Sequence, residues 1–459
     1  MSTMESQGKR DENGKSLSAR VWHKDCWRRF IIGHHIPDYD QKQSVPGMLE
    51  KVDPKKFVRE LKQAGVEVFQ IYAKCHYGNA YYNTKVGHKH SAIGDRDLFQ
   101  EYITACRHEG IIPVCIYEWL DLRVKHDHPD WDLFFSPYRE FSKKQVEEIV
   151  SGYDIEGLYM DMVDFNIDER NQQQQDAYRK EFGREMPTIA DCDSKEWRNC
   201  VRWAYRHQRD FLQEIREIVA KLRPSMTVVH NHHIEPHMPY FWGNGIEESC
   251  EVDDFAWNDM FCNREGYLTV ASGAKLFKSV SKLTPEILLD STLNIFWRKQ
   301  YEEPFTAKYK SAYLAEAMTL IGNGVTFQSG IGMRHDGTWN KTAMETIGYV
   351  NDEIAKVQDV VKNSRPLKYA AIVYSERTRD FHGGADKLRH ARSYYGMFSI
   401  LQQSHIPFDV MPDFQITDKN LAGYKLLVLP SIVCMSDSTA EAIKRFVEGG
   451  GIVVATDLT

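Results

Sequence analysis

The chain has 459 residues, of which 42% are hydrophobic, so it can bury a sizeable core, and its length favours two or three domains over one. Its net charge of −7 argues against nucleic acid as the partner. Nine cysteines stand singly, without a CxxC pair, which is typical of a reduced protein and argues against a disulfide framework.

The amino terminus, residues 1–20, is polar and lacks the apolar segment of a secretory signal. We expect it to be a disordered leader. No apolar run elsewhere approaches the ~18 residues that a membrane span requires, so no membrane partner is expected. The predicted location is therefore cytoplasmic.

Helices and strands are predicted to alternate along the first three quarters of the chain. An amphipathic helix that ends at Gly65 precedes a strand at 66–73, and a helix at 98–109 precedes a strand at 111–117. Such alternation favours a parallel sheet with crossover helices. The repeat of the helix–strand unit favours a barrel, so the predicted fold class is α/β, with a (β/α)8 TIM-like barrel over residues 21–362.

The alternation of helices and strands is interrupted between residues 168 and 225. We interpret this stretch as a barrel helix with an additional inserted helix. Beyond it the stretch 247–257 is a candidate strand end. Later barrel units are predicted as strands at 226–230, 276–280 and 287–293, helices at 305–321 and 341–361, and a last unit at 322–332.

A second α/β unit is predicted over residues 367–459, after a linker at 363–366. It stops directly after a strand, as expected either of a small domain or of a piece of a longer protein. Its predicted strands are 370–374, 408–411, 426–429 and 452–455, and its predicted helices are 390–402 and 438–448.

The segment Gly152–Phe165 contains the strongest catalytic candidate. A short apolar run, residues 158–160, leads to Asp161 in the manner of a buried strand of a parallel sheet. A carboxylate is costly to bury unless it is paired or used, and catalytic side chains of β/α barrels lie at the carboxyl ends of strands. We predict Asp161 as the nucleophile of a retaining glycoside hydrolase; the alternative is that it caps the following segment.

Several stretches, in order, resemble the α-L-fucosidases of glycoside hydrolase family 29 and their relatives in family 151 and in the hypothetical glycosyl hydrolase groups. The segment AKCHYG at 73–78 is similar to the fucosidase motif AKHHDGF, with Lys74, His76 and Gly78 matching. Residues 153–161 resemble the stretch that ends in the nucleophilic Asp of that family. The resemblance implies an α-L-fucosidase acting on a terminal fucose or a similar sugar.

The sequence also departs from that family. Cys75 stands in place of the first His of the motif, and the strand before the nucleophile reads YMDM instead of WFDG. These departures leave the hydrolase class standing and keep a β-galactosidase-like specificity open.

Residues 367–459 are similar to the trimerisation domain of family 42 β-galactosidases, through segments such as YAAIVYSE and YKLLVLPS. That resemblance implies an amidotransferase-like, Rossmann-like α/β fold. It also implies a homo-oligomer, either a dimer or a trimer.

Retaining hydrolysis needs a second carboxyl group ~5–5.5 Å from the nucleophile, protonated so that it can act as acid and then as base. Glu248 and Glu251 are the favoured acid/base candidates, because their stretch ends a barrel unit beyond Asp161, and Glu235 is the next candidate. For each of the three, a solvated loop acid is the alternative interpretation.

Imidazoles and aromatic rings at predicted strand ends are the candidate sugar contacts. Imidazoles hydrogen-bond hydroxyl groups, and His230 and His232 point to the same face of a strand. Indole rings stack on the apolar face of a sugar, although core packing is the alternative for each of them. The predicted substrate-binding residues are His34, His35, Lys74, His76, Tyr117, Trp119, His230, His232, Trp257 and Trp297.

The same histidines permit a metal-dependent barrel hydrolase, in which a bound metal makes hydroxide at neutral pH. Against this, the adjacent His34 and His35 face opposite ways on a strand, and the HxH pair comes late in the chain. A third alternative is a catalytically inactive sugar-binding relative, since the AKCHYG motif is altered. We predict a carbohydrate partner, no metal and no cofactor.

Overall fold

Two sheets organise the chain in the computed structural model, a larger one between residues 28 and 332 and a smaller one between residues 370 and 456. The structure describes residues 19–41, 45–188, 194–232, 243–260, 262, 266–293, 306–382 and 388–459.

The larger sheet is the predicted parallel barrel. Its eight long strands follow the spatial order β7-β6-β5-β2-β1-β10-β9-β8, and a bridge between Asn231 and Trp257 joins the two end strands. Sequential neighbours are thus adjacent in space, as β/α barrels require. The strands are β1 Arg28–Gly33, β2 Val68–Lys74, the short β3 Asn79–Ala80 and β4 His88–Lys89, β5 Ile112–Glu118, β6 Gly157–Asp161, β7 Thr227–His230, β8 Trp257–Met260, β9 Glu286–Asp290 and β10 Thr326–Gly332.

Helices connect these strands. Short 3₁₀ turns lie at Ser91–Ile93 and Asp413–Gln415. Up to the end of the barrel the helices are α1 Ala19–Asp25, α2 Pro54–Gln63, α3 Leu98–Glu109, α4 Leu122–Asp127, α5 Tyr138–Gly152, α6 Gln172–Phe182, α7 Lys195–Leu222, α8 Ile246–Val252, α9 Tyr267–Val280, α10 Lys310–Gly322 and α11 Lys341–Lys362.

The predicted ends of the early helices are confirmed, and side-chain caps explain them. Asp53 accepts a hydrogen bond from the N–H of Lys56 at the start of α2, and Asp97 caps α3 in the same way. Gly110 ends α3 in the left-handed conformation, with φ of 68°, which glycine adopts without strain. These local signals are readable from the sequence because each involves only neighbouring residues.

Two predicted strand positions are wrong. Residues 247–252 form most of α8 and not a strand end, because Glu247 and Glu248 occupy its first turn, where acidic side chains favour the helix dipole. The strand begins only at Trp257. Residues 276–280 are the last turns of α9, whose apolar face packs as a helix.

A buried ion pair crosses the inside of the barrel. The guanidinium of Arg29 on β1 contacts the carboxylate of Glu286 on β9, and the Tyr159 hydroxyl donates to Glu286 Oε2 at 2.6 Å. Arg29 also donates to the carbonyl oxygen of His23 at 2.9 Å. The network ties β1, β6 and β9 together below the site described next.

Replacing Glu286 with alanine is expected to lower the free energy of unfolding by about 3–5 kcal/mol, because it leaves the Arg29 guanidinium buried without its counter-ion. Urea unfolding followed by fluorescence measures this. The control is the double replacement Arg29→Met with Glu286→Leu, which removes both charges and should cost much less. A single variant as stable as the double one contradicts the prediction.

The smaller sheet has four parallel strands in the order β12-β11-β13-β14, and its predicted strands and helices are found where the sequence places them. Contacts with the barrel include Tyr205 of α7, whose hydroxyl donates to Asp380 Oδ2 at 2.6 Å. The strands are β11 Ala370–Tyr374, β12 Phe408–Pro412, β13 Leu426–Pro430 and β14 Ile452–Thr456; the helices are α12 Glu376–His382, α13 Arg389–Gln403, α14 Asp418–Leu421 and α15 Asp437–Glu448.

Among the helices that the structure describes, none combines the length and the apolar character needed to cross a membrane.

Candidate active site

Acidic and amide side chains gather at the carboxyl ends of the barrel strands. Successive residues of a strand point to opposite faces, so every second residue faces the barrel interior. Glu118 at the end of β5 is the register partner of Asp161 at the end of β6. Asn231, directly after β7, contacts both Asp161 and Asp259 of β8. We call Glu118, Asp161, Asn231 and Asp259 the carboxylate cluster.

Asp161 is the last residue of β6 and is partly exposed. Met162 follows it with φ of 54°, a left-handed conformation that residues other than glycine rarely adopt, and its N–H donates to Asp161 Oδ1 at 2.8 Å. Backbone strain of this kind is concentrated at functional sites. The turn ends the strand and keeps the carboxyl group at the rim of the barrel.

Asn231 joins two carboxyl groups through one nitrogen atom. Its Nδ2 donates to Asp161 Oδ1 at 3.0 Å and to Asp259 Oδ1 at 2.9 Å. Two oxygens that share one donor at these distances are at most about 6 Å apart. This separation is close to the ~5–5.5 Å between the carboxyl groups of retaining glycosidases.

The electrostatics of this pair disfavour a charge on both members. Burial, and then the nearby carboxylates of Glu118 and Asp259, raise the pKa of Asp161 well above its ordinary value. Asn231 and the N–H of Met162 oppose this, because they donate to the ionised form.

Glu118 lies between two imidazoles. Its carboxylate oxygens are 3.3 Å from His35 Nδ1 and 3.1 Å from His76 Nδ1. The Tyr72 hydroxyl lies 3.2 Å from His35 Nε2, on the other side of the ring from Glu118. Burial alone would raise the pKa of Glu118, but the two imidazoles hold it well below its usual range. Glu118 is therefore ionised at neutral pH.

Two groups of described residues bring together three side chains of the kinds that bind metals. In both groups the imidazole nitrogens lie at hydrogen-bonding distance from one carboxylate, and the second group is buried. These are the residues available to the metal-dependent alternative, which the chelation experiment below tests. The groups are His35 with His76 and Glu118, and His230 with His232 and Asp253.

Of the predicted sugar contacts, the structure brings His35 and His76 to the carboxylate cluster, but not His34 or Lys74. His34 is buried on the opposite side of the chain from His35, and burial, then His90, lower its pKa to about 3. Lys74 Nζ donates to the carbonyl oxygen of Glu118 at 2.8 Å. The prediction that Lys74 contacts the sugar is therefore corrected, because its amino group binds the backbone at the end of β5.

Tyr117 and Trp119 are also buried outside the barrel interior, because they flank Glu118 in a strand whose faces alternate. The Tyr117 hydroxyl donates to Gln145 Oε1 at 2.9 Å, and the Trp119 ring packs 4.0 Å from that of Phe211. Both therefore pack against the helical layer, and neither is a sugar platform.

His230 and His232 do share one face of the strand, as predicted, but it is the outer face. Both are fully buried, and both contact Asp253 Oδ2, His230 through Nδ1 at 2.5 Å and His232 through Nε2 at 3.0 Å. Asn231, between them, is the residue that faces the carboxylate cluster. The expectation of sugar contacts for these two histidines is corrected accordingly.

Trp257 lies inside the barrel, on the same face of β8 as Asp259. Its indole nitrogen donates to Gln328 Oε1 at 2.9 Å, and Gln328 in turn donates to Gln70 Oε1 at 3.1 Å. The ring meets Tyr159 edge to face, with centroids 5.2 Å apart. It fills the barrel core beneath the site.

The predicted acid/base residues on α8 lie on the helical layer. Glu248 Oε1 is 3.0 Å from Arg202 Nη2 on α7, and the exposed Glu251 is 3.9 Å from Arg209. Neither is part of the carboxylate cluster, since α8 packs against α7. Glu235 and Trp297 lie outside the described residues.

Sequence reasoning missed Glu118, Asn231 and Asp259 as site residues. Glu118 carried a signal, since it ends a predicted strand at the same level as Asp161. Asp259 gives no signal of its own, because the acidic stretch 247–257 before it favours a strand end. Asn231 lies between His230 and His232, and the sequence favours these two imidazoles as the sugar contacts instead.

Two family models of glycoside hydrolases match parts of the chain. Residues 53–134 match "Hypothetical glycosyl hydrolase 6", and residues 369–459 match the "Beta-galactosidase trimerisation domain". The first region contains His76 and Glu118. Among curated proteins, β-galactosidase GanA of Bacillus subtilis (strain 168) is 26% identical over 125 residues, which are 27% of this chain and 18% of that protein.

Solved structures of the same architecture include both specificities considered above. The chain is similar to α-L-fucosidase isoenzyme 2 from Paenibacillus thiaminolyticus, with a TM-score of 0.74 and 18% identity, over 94% of this chain and 64% of that one. It is also similar to the β-galactosidase from Rahnella sp. R3, with a TM-score of 0.69 and 14% identity, over 93% and 71%.

The likenesses in sequence are to glycoside hydrolases, and those in structure show the barrel fold that these enzymes share. The chain spans less than two thirds of the length of the curated β-galactosidase and of the fucosidase that it matches.

Proposed function

We propose that the protein is a retaining glycoside hydrolase whose catalytic carboxyl groups are Asp161 and Asp259. The observation that carries this proposal is the Asn231 amide, which holds both groups within about 6 Å of each other at the barrel rim. The family matches to glycoside hydrolases support the class of reaction.

Asp161 is the nucleophile in this proposal. It accepts two hydrogen bonds, from the Met162 N–H and from Asn231, and both stabilise the ionised form that attacks the anomeric carbon. Asp259 is the acid/base. It takes the place of Glu248, Glu251 and Glu235, because it shares a donor with Asp161, whereas the two described glutamates pair with arginines of α7.

Double displacement then proceeds in two steps. Asp161 attacks the anomeric carbon while the proton of Asp259 passes to the leaving oxygen, which gives a glycosyl ester on Asp161. Asp259, now ionised, takes a proton from water, and the resulting hydroxide cleaves the ester with a second inversion. The anomeric configuration is therefore retained.

Glu118, His35 and His76 form the proposed sugar-binding side of the site. Glu118 is ionised and held by both imidazoles, so it accepts hydrogen bonds from sugar hydroxyl groups, and His76 is partly exposed beside it. A small terminal sugar such as L-fucose suits this arrangement. The proposed assembly is a homo-oligomer through residues 369–459, where the trimerisation family matches.

Replacing Glu118 with glutamine is expected to lower kcat/KM by about 10- to 100-fold, because a charge-assisted hydrogen bond contributes about 1.5–3 kcal/mol. Loss of its negative charge also lowers the pKa of Asp161, so the acidic limb of the pH profile moves to lower pH. Steady-state kinetics on an aryl glycoside across pH measure both effects. An unchanged acidic limb contradicts the assigned contact.

Specificity and mechanism class are tested together. Aryl α-L-fucoside, β-D-galactoside, α-L-arabinoside and β-D-fucoside are each offered with and without chelator. The proposal expects the α-L-fucoside to be hydrolysed fastest and chelator to leave the rate unchanged. Fastest hydrolysis of the galactoside assigns the other specificity, chelator-sensitive turnover supports the metal-dependent alternative, and sugar binding without turnover supports an inactive relative.

A further inference from the structure

Asn231 sits between two buried histidines that share one carboxylate. Asp253 directly follows α8. Its Oδ2 lies 2.5 Å from His230 Nδ1 and 3.0 Å from His232 Nε2. The three side chains are buried, and the histidine rings lie 4.1 Å apart. They form a closed clamp around the segment that presents Asn231.

The protonation of the clamp follows from a neighbouring amide. Asn244 donates through Nδ2 to Asp164 at 2.7 Å and accepts through Oδ1 from Gln208 at 2.7 Å, which fixes the orientation of the amide. Its Oδ1 also lies 3.1 Å from His230 Nε2, so that nitrogen must donate. His230 therefore donates from both ring nitrogens and is an imidazolium paired with Asp253.

His232 is the neutral partner. Its Nδ1 lies 3.3 Å from the carbonyl oxygen and 3.4 Å from the N–H of Trp257, and its Nε2 lies 3.0 Å from Asp253 Oδ2. Burial, then the charge on His230, lower the pKa of His232, in agreement with this assignment. One carboxylate oxygen thus lies against the rings of both histidines that flank Asn231.

Within the described residues, backbone hydrogen bonds also hold this segment. Beyond β7 the Asn231 N–H donates to Met160 at 2.9 Å and the His232 N–H donates to Trp257 at 2.8 Å. A side-chain amide that must reach two carboxyl groups at once requires a fixed backbone, since small misplacements in a site cost rate. The clamp supplies this restraint from behind the strand.

We propose that Asp253 is a positioning residue that acts through His230 and His232 to fix the Asn231 amide, and thereby the separation of Asp161 and Asp259. This inference rests on the proposed function of that pair. It gives the buried His230–Asp253–His232 group a role that neither sugar binding nor metal binding requires.

The test is a double-mutant cycle between Asp253→Asn and Asn231→Ala. Asp253→Asn alone should lower kcat for the aryl α-L-fucoside by about ten-fold or more, with little change in KM, and should have almost no further effect in the Asn231→Ala background. Equal losses in both backgrounds overturn the proposal, because Asp253 would then act independently of Asn231.

Two controls separate positioning from general stability. Asp254→Asn removes the adjacent buried acid, which pairs with Arg216 and accepts from the Val228 N–H, so it should lower the melting temperature and be additive with Asn231→Ala. At position 232, the amide of glutamine can donate to Asp253 from near the Nε2 position, and that of asparagine cannot reach it. His232→Gln should retain kcat, and His232→Asn should lose it; equal behaviour of the two overturns the proposal.

A readout without turnover separates this inference from the proposed function. In a ¹³C NMR titration of the aspartate carboxyl groups, Asp253→Asn should raise the midpoint of Asp161, because Asn231 no longer donates to its ionised form. Asp254→Asn should leave it unchanged. A shift in an enzyme that hydrolyses no glycoside supports the clamp and rejects the proposed function, and an unchanged midpoint rejects the clamp.

Discussion

Replacement of Asp161 with glycine is expected to lower kcat/KM for an aryl α-L-fucoside by more than about a thousand-fold, because no other group then attacks the anomeric carbon. Added azide fits the space left by the carboxymethyl group and should restore turnover. Azide attacks once, from the face that Asp161 occupied, so the product should be the β-L-fucosyl azide, of inverted configuration.

The same experiment can refute the assignment. An α-L-fucosyl azide, of retained configuration, would make Asp161 the acid/base and leave Asp259 as the nucleophile. No rescue together with undiminished activity would mean that Asp161 caps the following turn, in which it already accepts the Met162 N–H. The matched control is Glu248→Gln, which removes a carboxylate on α8 that pairs with Arg202 and should keep kcat/KM.

Replacement of Asp259 with glycine should give the opposite stereochemical result. The loss of kcat/KM should reach about a thousand-fold for a 4-nitrophenyl glycoside and be much smaller for a 2,4-dinitrophenyl glycoside, whose leaving group needs little protonation. Azide then intercepts the glycosyl ester on Asp161, and the product should be the α-L-fucosyl azide, of retained configuration.

Equal losses on both aryl glycosides would contradict an acid/base role for Asp259. Glu251→Gln and Glu235→Gln extend this experiment to the glutamates that the sequence favours. A loss in either of them that is large for the 4-nitrophenyl glycoside and small for the 2,4-dinitrophenyl glycoside, with Asp259→Gly unaffected, would return the acid/base role to that glutamate.

Local order in this chain is readable from sequence alone. The ends of α3 follow from Asp97 and Gly110, which act on neighbouring backbone groups, and the barrel follows from the repetition of such units. Asp161 at a strand end is visible for the same reason, since the apolar run before it and the position of its carboxyl group lie in one short segment.

The partners of Asp161 could not be found in this way. Asp259 lies almost a hundred residues further along the chain, and only strand register and closure of the barrel bring it to Asn231. At the end of β7, Asn231 faces the barrel interior, and His230 and His232 face outward. Two-residue alternation predicts that Asn231 and the histidines face opposite ways, but it does not predict which of them faces inward.

The sequence by itself determined a parallel barrel with an acid at the end of its fourth long strand, because helix caps, apolar runs and turns are local. The tertiary structure alone decided which side chains share the barrel rim: it joined Asp161 to Asp259 through Asn231 and set Glu118 between His35 and His76. The physical reason is that the direction in which each side chain points depends on the pleat of its strand and on the register between strands that are distant in the chain.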